Sequence, residues 1–173
     1  MSTNKYITAI GSRKTPEAIL DQMEKLGAAL AALGFIGRSG HADGADYAFE
    51  KGFDSNIDIY LPWPSFNRDM AIYGNPKSIS LSSKTDELLK IACPHFTNLK
   101  IGPKKLHARN LHQVLGDDLV NPIPSIAVVA WTEGGELVGG TATAIRLANH
   151  FNIPVFNFAT TDYDTILSEI KKL

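Results

Sequence analysis

Residues 125–131 read Ser-Ile-Ala-Val-Val-Ala-Trp, which is the clearest strand pattern in the chain. The run is apolar nearly throughout, as is typical of a strand that is covered on both faces of a parallel sheet. A glycine-rich loop occupies residues 132–140, and a helical pattern follows over residues 141–151. A strand, a loop and a helix in this order are the start of a βαβ unit, so this stretch predicts an α/β fold.

Strand and helix patterns alternate along the rest of the chain as well. This alternation favours a Rossmann-like open parallel sheet of about five strands with helices on both faces. Thr15 is placed to cap the first helix, Gly34 to end it and Gly52 to end the second helix. The predicted strands are 6–10, 35–39, 57–61, 125–131 and 153–157, and the predicted helices are 15–33, 43–51, 86–93, 103–115, 141–151 and a C-terminal helix capped by Thr161.

Length and composition indicate one globular domain over residues 1–173. Hydrophobic residues make up 44% and charged residues 20% of the chain, and no repeat or linker interrupts it. Cys93 is the only cysteine, which excludes a disulfide framework and a cysteine-rich zinc site. The histidines have no metal-ligand spacing, so neither a metal nor a cofactor is expected. No apolar run reaches the ~18 residues of a membrane span, and residues 1–5 lack a signal-peptide pattern, so we expect a cytoplasmic protein.

The overall charge is nearly balanced, but the basic residues are not evenly distributed. The 17 lysines and arginines face 18 acidic residues, and yet residues 88–116 contain no acid. A basic face in this region, carried by Lys100, Lys104, Lys105 and Arg109, could bind phosphate groups or single-stranded DNA. A solvated helix face that is balanced by acids elsewhere in the fold is the alternative.

Three loops that follow predicted strands carry groups that bind anions. Ligands of open parallel sheets bind outside the carboxyl ends of the strands, so these loops are expected to meet at one edge. The first loop contains Gly11, Ser12, Arg13 and Lys14. It combines a tight turn, free backbone N–H groups and a hydroxyl with a guanidinium that can hold phosphate in a bidentate manner.

The second loop, residues 38–46, reads Arg-Ser-Gly-His-Ala-Asp-Gly-Ala-Asp and leads into a helix. Its glycines allow close backbone approach, and the helix offers the positive end of its dipole to phosphate. The spacing differs from the dinucleotide fingerprint G-x-G-x-x-G. Asp43 or Asp46 is expected to cap the helix, which leaves the other carboxylate for a sugar hydroxyl. His41 is the one histidine placed for chemistry, with hydrogen bonding inside the loop as the alternative.

The third loop ends in Gly139, Gly140 and Thr141, which open a helix after the best strand pattern. A phosphate can bind at that helix N-terminus, with the hydroxyls of Thr141 and Thr143 beside it. A flexible glycine-rich turn with threonine caps is the alternative. Because all three loops follow strands of one parallel sheet, their coincidence favours a ligand site.

The three loops, taken in order, resemble the SLOG superfamily, which includes DNA-processing protein A and the Lonely Guy phosphoribohydrolases. Residues 39–46 resemble the Ser-Gly-Gly-Ala-x-Gly-x-Asp motif of DNA-processing protein A, with His41 and Ala42 where a Gly-Ala pair is usual. Arg109 and Asn110 resemble the Arg-Asn pair of that branch. The resemblance covers residues 6–158 and is nearest to compact phage-encoded forms, whose Leu-Pro-Trp segment residues 61–63 match.

This resemblance implies a Rossmann-like nucleotide-binding protein that forms a homo-oligomer, in the host cytoplasm if a phage encodes it. Lonely Guy enzymes carry paired glutamates after their Gly-Thr, whereas here Gly140-Thr141 leads into Ala142 and Thr143. This departure puts N-glycosidic hydrolysis in doubt. Full-length DNA-processing protein A has further domains that load recombinase, and that role is not implied.

The sequence leaves three functions open. The first is binding of a nucleotide or nucleotide-derived ligand by its phosphate, with Trp63, Phe66 or Trp131 as candidates to stack on the base. The second is hydrolysis or transfer at a nucleotide N-glycosidic bond, for which Glu133 or Glu136 would be the catalytic carboxylate. The third is single-stranded DNA binding by the basic face. For residues 62–84, a lid over the site and a partner surface are the two roles considered. The candidate ligand-binding residues are Gly11, Ser12, Arg13, Ser39, Gly40, His41, Ala42, Asp43, Asp46, Arg109, Asn110, Gly139, Gly140, Thr141 and Thr143.

Overall fold

The computed structural model describes residues 4–173, in which six parallel strands form one sheet between two layers of helices. Met1, Ser2 and Thr3, which belong to the segment without a signal-peptide pattern, lie outside the described residues. The strands are β1 (Tyr6–Ala9), β2 (Ile36–Ser39), β3 (Ile57–Leu61), β4 (Asn75–Ser78), β5 (Ala127–Ala130) and β6 (Val155–Asn157). The helices are α1 (Glu17–Ala32), α2 (Ala45–Phe53), α3 (Ser83–Ala92), α4 (Ile101–Leu115), α5 (Thr141–His150) and α6 (Tyr163–Lys171).

The strand order is β4-β3-β2-β1-β5-β6, and every neighbouring pair is parallel. This confirms the predicted Rossmann-like open sheet. The chain moves outward from β1 to β4 and then crosses to β5 on the other side of β1. The direction of winding therefore reverses between β1 and β5, which is where such folds bind ligands.

The sheet has six strands because β4 forms at its edge. Residues 75–78 read Asn-Pro-Lys-Ser, without a β-branched or aromatic residue, so no strand pattern marks them. Pairing with β3, in a register that sets Tyr60 beside Lys77, makes this segment a strand. A proline is tolerated there because an edge strand pairs on one side only.

Two hydrophobic clusters hold the layers together. On one face, α1, α2 and α6 pack against side chains such as Ile7, Ile59 and Val129. On the other face, α3, α4 and α5 pack against Val128 and Ala130. All four residues of β5 are buried, as the apolar run in the sequence predicts for a strand covered on both faces.

Several predicted helix ends are wrong, and others are confirmed. Gly34 follows α1 with a φ of +87°, as predicted for a helix stop. Thr15 does not cap α1, because its hydroxyl donates to the Ser12 carbonyl and Pro16 occupies the N-cap position. Gly52 lies inside α2 and does not end it. Because glycine has no side chain, the backbone of α1 at Glu24 can approach α2 closely at this position. Asp162, and not Thr161, caps α6 by accepting from the Thr165 N–H.

Residues 62–74 connect β3 to β4 without a helix. Phe66 is buried in the core, and its ring meets that of Trp63 edge to face at 5.4 Å. The side-chain amide of Asn67 donates to the carbonyl of His41 over 2.9 Å. The segment therefore supports the loop after β2. Within residues 4–173, no helix has the length and apolar character needed to cross a bilayer.

Candidate functional site

A cavity of about 620 Å³ opens at the carboxyl edge of the sheet. It lies between the loops after β1, β2 and β5 and one face of α4, at the point where the direction of winding reverses. Its volume is within the range of small-molecule sites. The lining residues are Ile10, Gly11, Ser12, Arg13, Lys14, Ala42, Asp46, Pro103, Leu106, His107, Arg109, Asn110, Gln113, Glu133, Glu136, Val138, Gly139, Gly140 and Thr141.

The cavity brings together most of the residues that the sequence singles out, although their binding roles remain predictions. Glu133 and Glu136, the carboxylates considered for N-glycosidic chemistry, also line it. The candidate ligand-binding residues that line the cavity are Gly11, Ser12, Arg13, Ala42, Asp46, Arg109, Asn110, Gly139, Gly140 and Thr141. The candidates that do not line it are Ser39, Gly40, His41, Asp43 and Thr143.

One wall of the cavity is a face of α4, from which sequence reasoning singled out only Arg109 and Asn110. Pro103, Leu106, His107, Asn110 and Gln113 all line it. Their spacing of three or four residues places them on one helix face. The helical period was visible in the sequence, but which face would meet the loops was not. Ile10 also lines the cavity and was missed, whereas Lys14 and Val138 belong to the first and third predicted loops without having been named as ligand-binding residues.

The mouth of the cavity is cationic and has exposed backbone. Arg13 and Lys14 are exposed, and neither forms an ion pair with a carboxylate anywhere in residues 4–173. Gly139, with a φ of +67°, and Gly140 are exposed where α5 begins. The first N–H groups of a helix and its dipole attract anions, so this end of the cavity suits a phosphate.

The floor of the cavity is polar and buried. Asp46 accepts hydrogen bonds at Oδ2 from the backbone N–H groups of Gly40 (3.2 Å) and Ala42 (3.4 Å). Arg109 donates to the Gly40 carbonyl and to Asn110 Oδ1, and Asn110 donates in turn to the Gly140 carbonyl. These bonds tie the loops after β2 and β5 to α4. Gly44 occupies the N-cap of α2, so neither Asp43 nor Asp46 is the predicted helix cap.

Burial raises the pKa of Asp46 to about 6, even though the charge of Arg109 and two backbone N–H groups act in the opposite direction. The nearby Glu50 carboxylate raises it further. Burial also lowers the pKa of Arg109. The floor thus carries a carboxyl group that changes its protonation state close to neutral pH.

We expect the pKa of Asp46 to appear in the pH dependence of stability. The folded state holds this proton more tightly than the unfolded chain, so the stabilisation is present below about pH 4 and is lost as the pH rises through 6. The loss amounts to about 3 kcal/mol for a shift of about two pKa units. Urea unfolding of wild type and Asp46→Asn across this range measures it, as the difference between their free energies of unfolding.

Asp117 provides a control of opposite sign. Hydrogen bonds from Tyr60 and Lys77 outweigh the effect of burial and lower the pKa of Asp117. The wild-type advantage over Asp117→Asn should therefore grow with rising pH, whereas the advantage over Asp46→Asn should shrink. A difference between wild type and Asp46→Asn that does not change with pH would contradict the assignment.

His41 forms hydrogen bonds inside its loop, one of the two roles predicted for it, and it does not line the cavity. It is fully buried, and its Nδ1 lies 2.7 Å from Glu50 Oε2. Burial alone would lower the pKa of His41, but the hydrogen bond and charge of Glu50 reverse this and the net shift is upward. Glu50 Oε1 also accepts from the Ser39 hydroxyl and the His41 N–H. This buried pair holds the loop after β2, including the φ of +58° at His41.

His107 is the histidine that lines the cavity, and sequence reasoning passed over it. Its Nδ1 lies 2.7 Å from the Thr143 hydroxyl, so Thr143 orients this ring and is itself buried. Burial, followed by the charges of Arg109 and Arg146, lowers the pKa of His107. The imidazole is therefore neutral at physiological pH and can accept or donate one hydrogen bond.

The predicted basic face on residues 100–109 does not form as a single surface. Arg109 is buried in the floor of the cavity, and Lys104 pairs with Asp86 at 2.7 Å. Lys100 is exposed where α4 begins, and Lys105 is partly exposed in its first turns. Lys104 and Lys105 are neighbours in the helix and lie about 100° apart around it, so the lysines do not share one face.

The aromatic residues considered for base stacking belong to the core. Phe66 is buried there, and Trp63 and Trp131 pack against the same cluster. Of the residues described, none that lines the cavity carries an aromatic ring other than the His107 imidazole. Residues 62–84 lie away from the cavity lining and so do not form a lid over it. No group of three or more potential metal ligands is found in residues 4–173.

The fold and the placement of the cavity define a Rossmann-like α/β protein with a ligand cavity at its topological switch point. A solved structure of DNA processing protein A from Helicobacter pylori, from a study of its single-stranded DNA binding mode, has a similar fold. The TM-score is 0.62 at 19% sequence identity, over 98% of this chain and 74% of that chain. The chain thus has a fold like that of DNA processing protein A. No protein-family model and no curated protein matches the sequence.

Proposed function

We propose that this chain binds single-stranded DNA and holds the phosphate of one nucleotide at the mouth of the cavity. The observation that carries the proposal is the pair of exposed cations, Arg13 and Lys14, that form no ion pair within the described residues. They stand beside the exposed start of α5, whose N–H groups favour an anion. The similar fold of a protein studied for its binding of single-stranded DNA supports the same ligand.

The remaining exposed cations indicate where the bound DNA strand would run beyond this nucleotide. Lys100 precedes α4, and Lys105 lies in its first turns, near the lining residue Pro103. Neither lysine forms an ion pair with any of the described carboxylates. Phosphates on either side of the bound nucleotide would lie within the field of these lysines. Glu133 and Glu136 lie in the loop after β5 and line the cavity. Their negative charges would repel the phosphates of the DNA backbone and favour its passage on the side of Arg13.

We expect the double variant Arg13→Gln/Lys14→Gln to bind single-stranded DNA at least about tenfold more weakly at low salt, because two phosphate contacts are lost. The slope of log affinity against log salt should become shallower by about 1.4, that is, 0.7 for each contact on a single strand. Fluorescence anisotropy with a labelled oligothymidine over a salt series measures both quantities.

Lys25→Gln is the matched control. Lys25 is exposed on α1, does not line the cavity and forms no ion pair with the described residues. Its loss should leave affinity and slope close to those of wild type. An equal effect of Lys25→Gln would show that net charge, and not this site, governs binding, and a wild-type affinity that does not respond to salt would exclude the proposal.

A free mononucleotide is the second candidate ligand, and the two glutamates favour it. Glu133 and Glu136 are exposed and line the cavity, where carboxylates accept hydroxyl groups of a sugar but repel a continuous phosphate backbone. Thermal unfolding against nucleoside monophosphates and oligonucleotides separates the candidates. A true ligand at ~100 times its dissociation constant adds about 2.7 kcal/mol of stability. Stabilisation by monophosphates alone would favour this second function.

A further inference from the structure

We infer that the cavity floor receives one nucleobase of the bound strand, which enters edge first and hydrogen-bonds to Asp46 and Gln113. The inference rests on the proposed function and names the part of the ligand that the floor binds. It follows from hydrogen-bonding groups on these two side chains that the described chain leaves without partners, and from the chemistry of a DNA strand.

One carboxylate oxygen of Asp46, Oδ1, is free to accept a hydrogen bond from a ligand in the cavity. Only 4% of the residue is exposed, and both backbone N–H groups that reach it bond to Oδ2. In residues 4–173, no donor bonds to Oδ1. Asp46 Oδ1 is not among the fully buried, unpaired polar atoms of the described residues, so it is accessible from the cavity that Asp46 lines, where a ligand N–H or O–H group can bond to it.

Gln113 offers the complementary group. The residue is 2% exposed and lines the same cavity, and its backbone carbonyl accepts from the Thr8 hydroxyl over 2.6 Å. Its side-chain amide forms no hydrogen bond with any of the described residues. An amide carries two donor hydrogens and an acceptor oxygen, so it can match either kind of atom on a ligand. Together, Asp46 and Gln113 suit a ligand edge that contains a donor and a second polar atom.

Within a DNA strand, only the base has such an edge. The sugar of an internal deoxynucleotide has no free hydroxyl, because O3′ and O5′ are in phosphodiester linkages and the 2′ position carries no oxygen. A phosphodiester has acceptor oxygens only. The N–H groups are all on the bases, each of which sets donors and acceptors side by side on its edge.

The rest of the cavity fits this orientation. Ile10, Ala42 and Leu106 provide apolar lining, against which the faces of a base can pack. The cations Arg13 and Lys14 are exposed at the mouth, so the phosphates remain outside while the base reaches inward. A cavity with apolar walls and a few convergent polar groups is the usual form of a site for a flat heterocycle.

The test compares two strands with the same phosphates. One is a mixed-sequence oligonucleotide, and the other is an oligomer of equal length in which every base is removed and tetrahydrofuran spacers keep the backbone. We expect wild type to bind the first at least about tenfold more tightly, the factor that base contacts provide. Gln113→Met should lose most of this preference and leave affinity for the abasic strand unchanged. Gln22→Met, on α1 and outside the cavity, should behave as wild type.

Each result has a distinct meaning. Equal wild-type affinity for the two strands would overturn the inference and leave the proposed function standing. Absence of binding to either strand would overturn both. A 3′-phosphate that abolishes binding would place a terminal sugar hydroxyl, and not a base, at Asp46, which also overturns the inference. If Gln113→Met fails to fold, the wild-type comparison of the two strands decides.

Discussion

Replacing Glu50 with alanine is expected to lower the free energy of unfolding by about 3–5 kcal/mol, because it removes one partner of a buried, hydrogen-bonded pair. Glu50 is fully buried and accepts three hydrogen bonds, from the Ser39 hydroxyl, the His41 backbone N–H and the His41 ring. The variant leaves all three donors without a partner in the core. Urea unfolding at neutral pH measures the loss.

Glu50→Gln separates hydrogen bonding from charge. Its amide oxygen can accept from Ser39 and from the His41 N–H, and its NH₂ group can donate to a neutral His41 ring. We therefore expect it to retain most of the stability that Glu50→Ala loses. If alanine and glutamine variants were destabilised alike, the negative charge itself would hold the loop. If neither were destabilised, the structural role assigned to the His41–Glu50 pair would be wrong.

Gly52→Ala is the other substitution with a large expected effect on stability. A Cβ at Gly52 would overlap the Glu24 carbonyl oxygen and lie 2.9 Å from its carbonyl carbon. The obstacle is backbone, so α1 and α2 would have to move apart. We expect a loss of about 2–3 kcal/mol, the upper part of the usual range for overpacking, although alanine is the better helix former. The midpoint of urea unfolding reports it.

Gly102→Ala serves as the matched control for this prediction. Gly102 lies near the start of α4, and a Cβ there would meet no atom within 4 Å. The same substitution should then leave stability unchanged or raise it by up to about 1 kcal/mol, through helix propensity alone. Equal effects at both glycines would mean that the close approach of α1 and α2 does not limit the choice of residue at position 52.

The buried pair matters for function because it shapes the loop that carries Asp46. Glu50 and His41 hold the residues between β2 and α2, and the N–H groups of Gly40 and Ala42 then position the Asp46 carboxylate. Arg109 reaches the Gly40 carbonyl from α4 and completes the connection. A charge network of the fold thus sets the geometry of the cavity floor.

Much of the site's location could be predicted from the sequence, whereas its inner construction could not. Loops after parallel strands meet at one edge, so the convergence of residues 11–13, 38–46 and 139–141 follows from strand order alone. The different roles of the residues inside the second loop do not follow from strand order. Ser39 and His41 turn to the core, where both bond to Glu50, which lies eleven and nine residues further on, and Asp46 turns to the cavity.

By itself, the sequence determined the parallel α/β fold and the edge at which a ligand cavity would form. Hydrophobic period and turn residues are local properties, and they suffice to place β1 to β3, β5 and β6. Only the tertiary structure decided that residues 75–78 become a strand and that α1 packs closely against Gly52 of α2. It also decided that Asp46 and Gln113 both line the cavity floor. Each of these depends on contacts between segments far apart in the chain, which a local pattern does not encode.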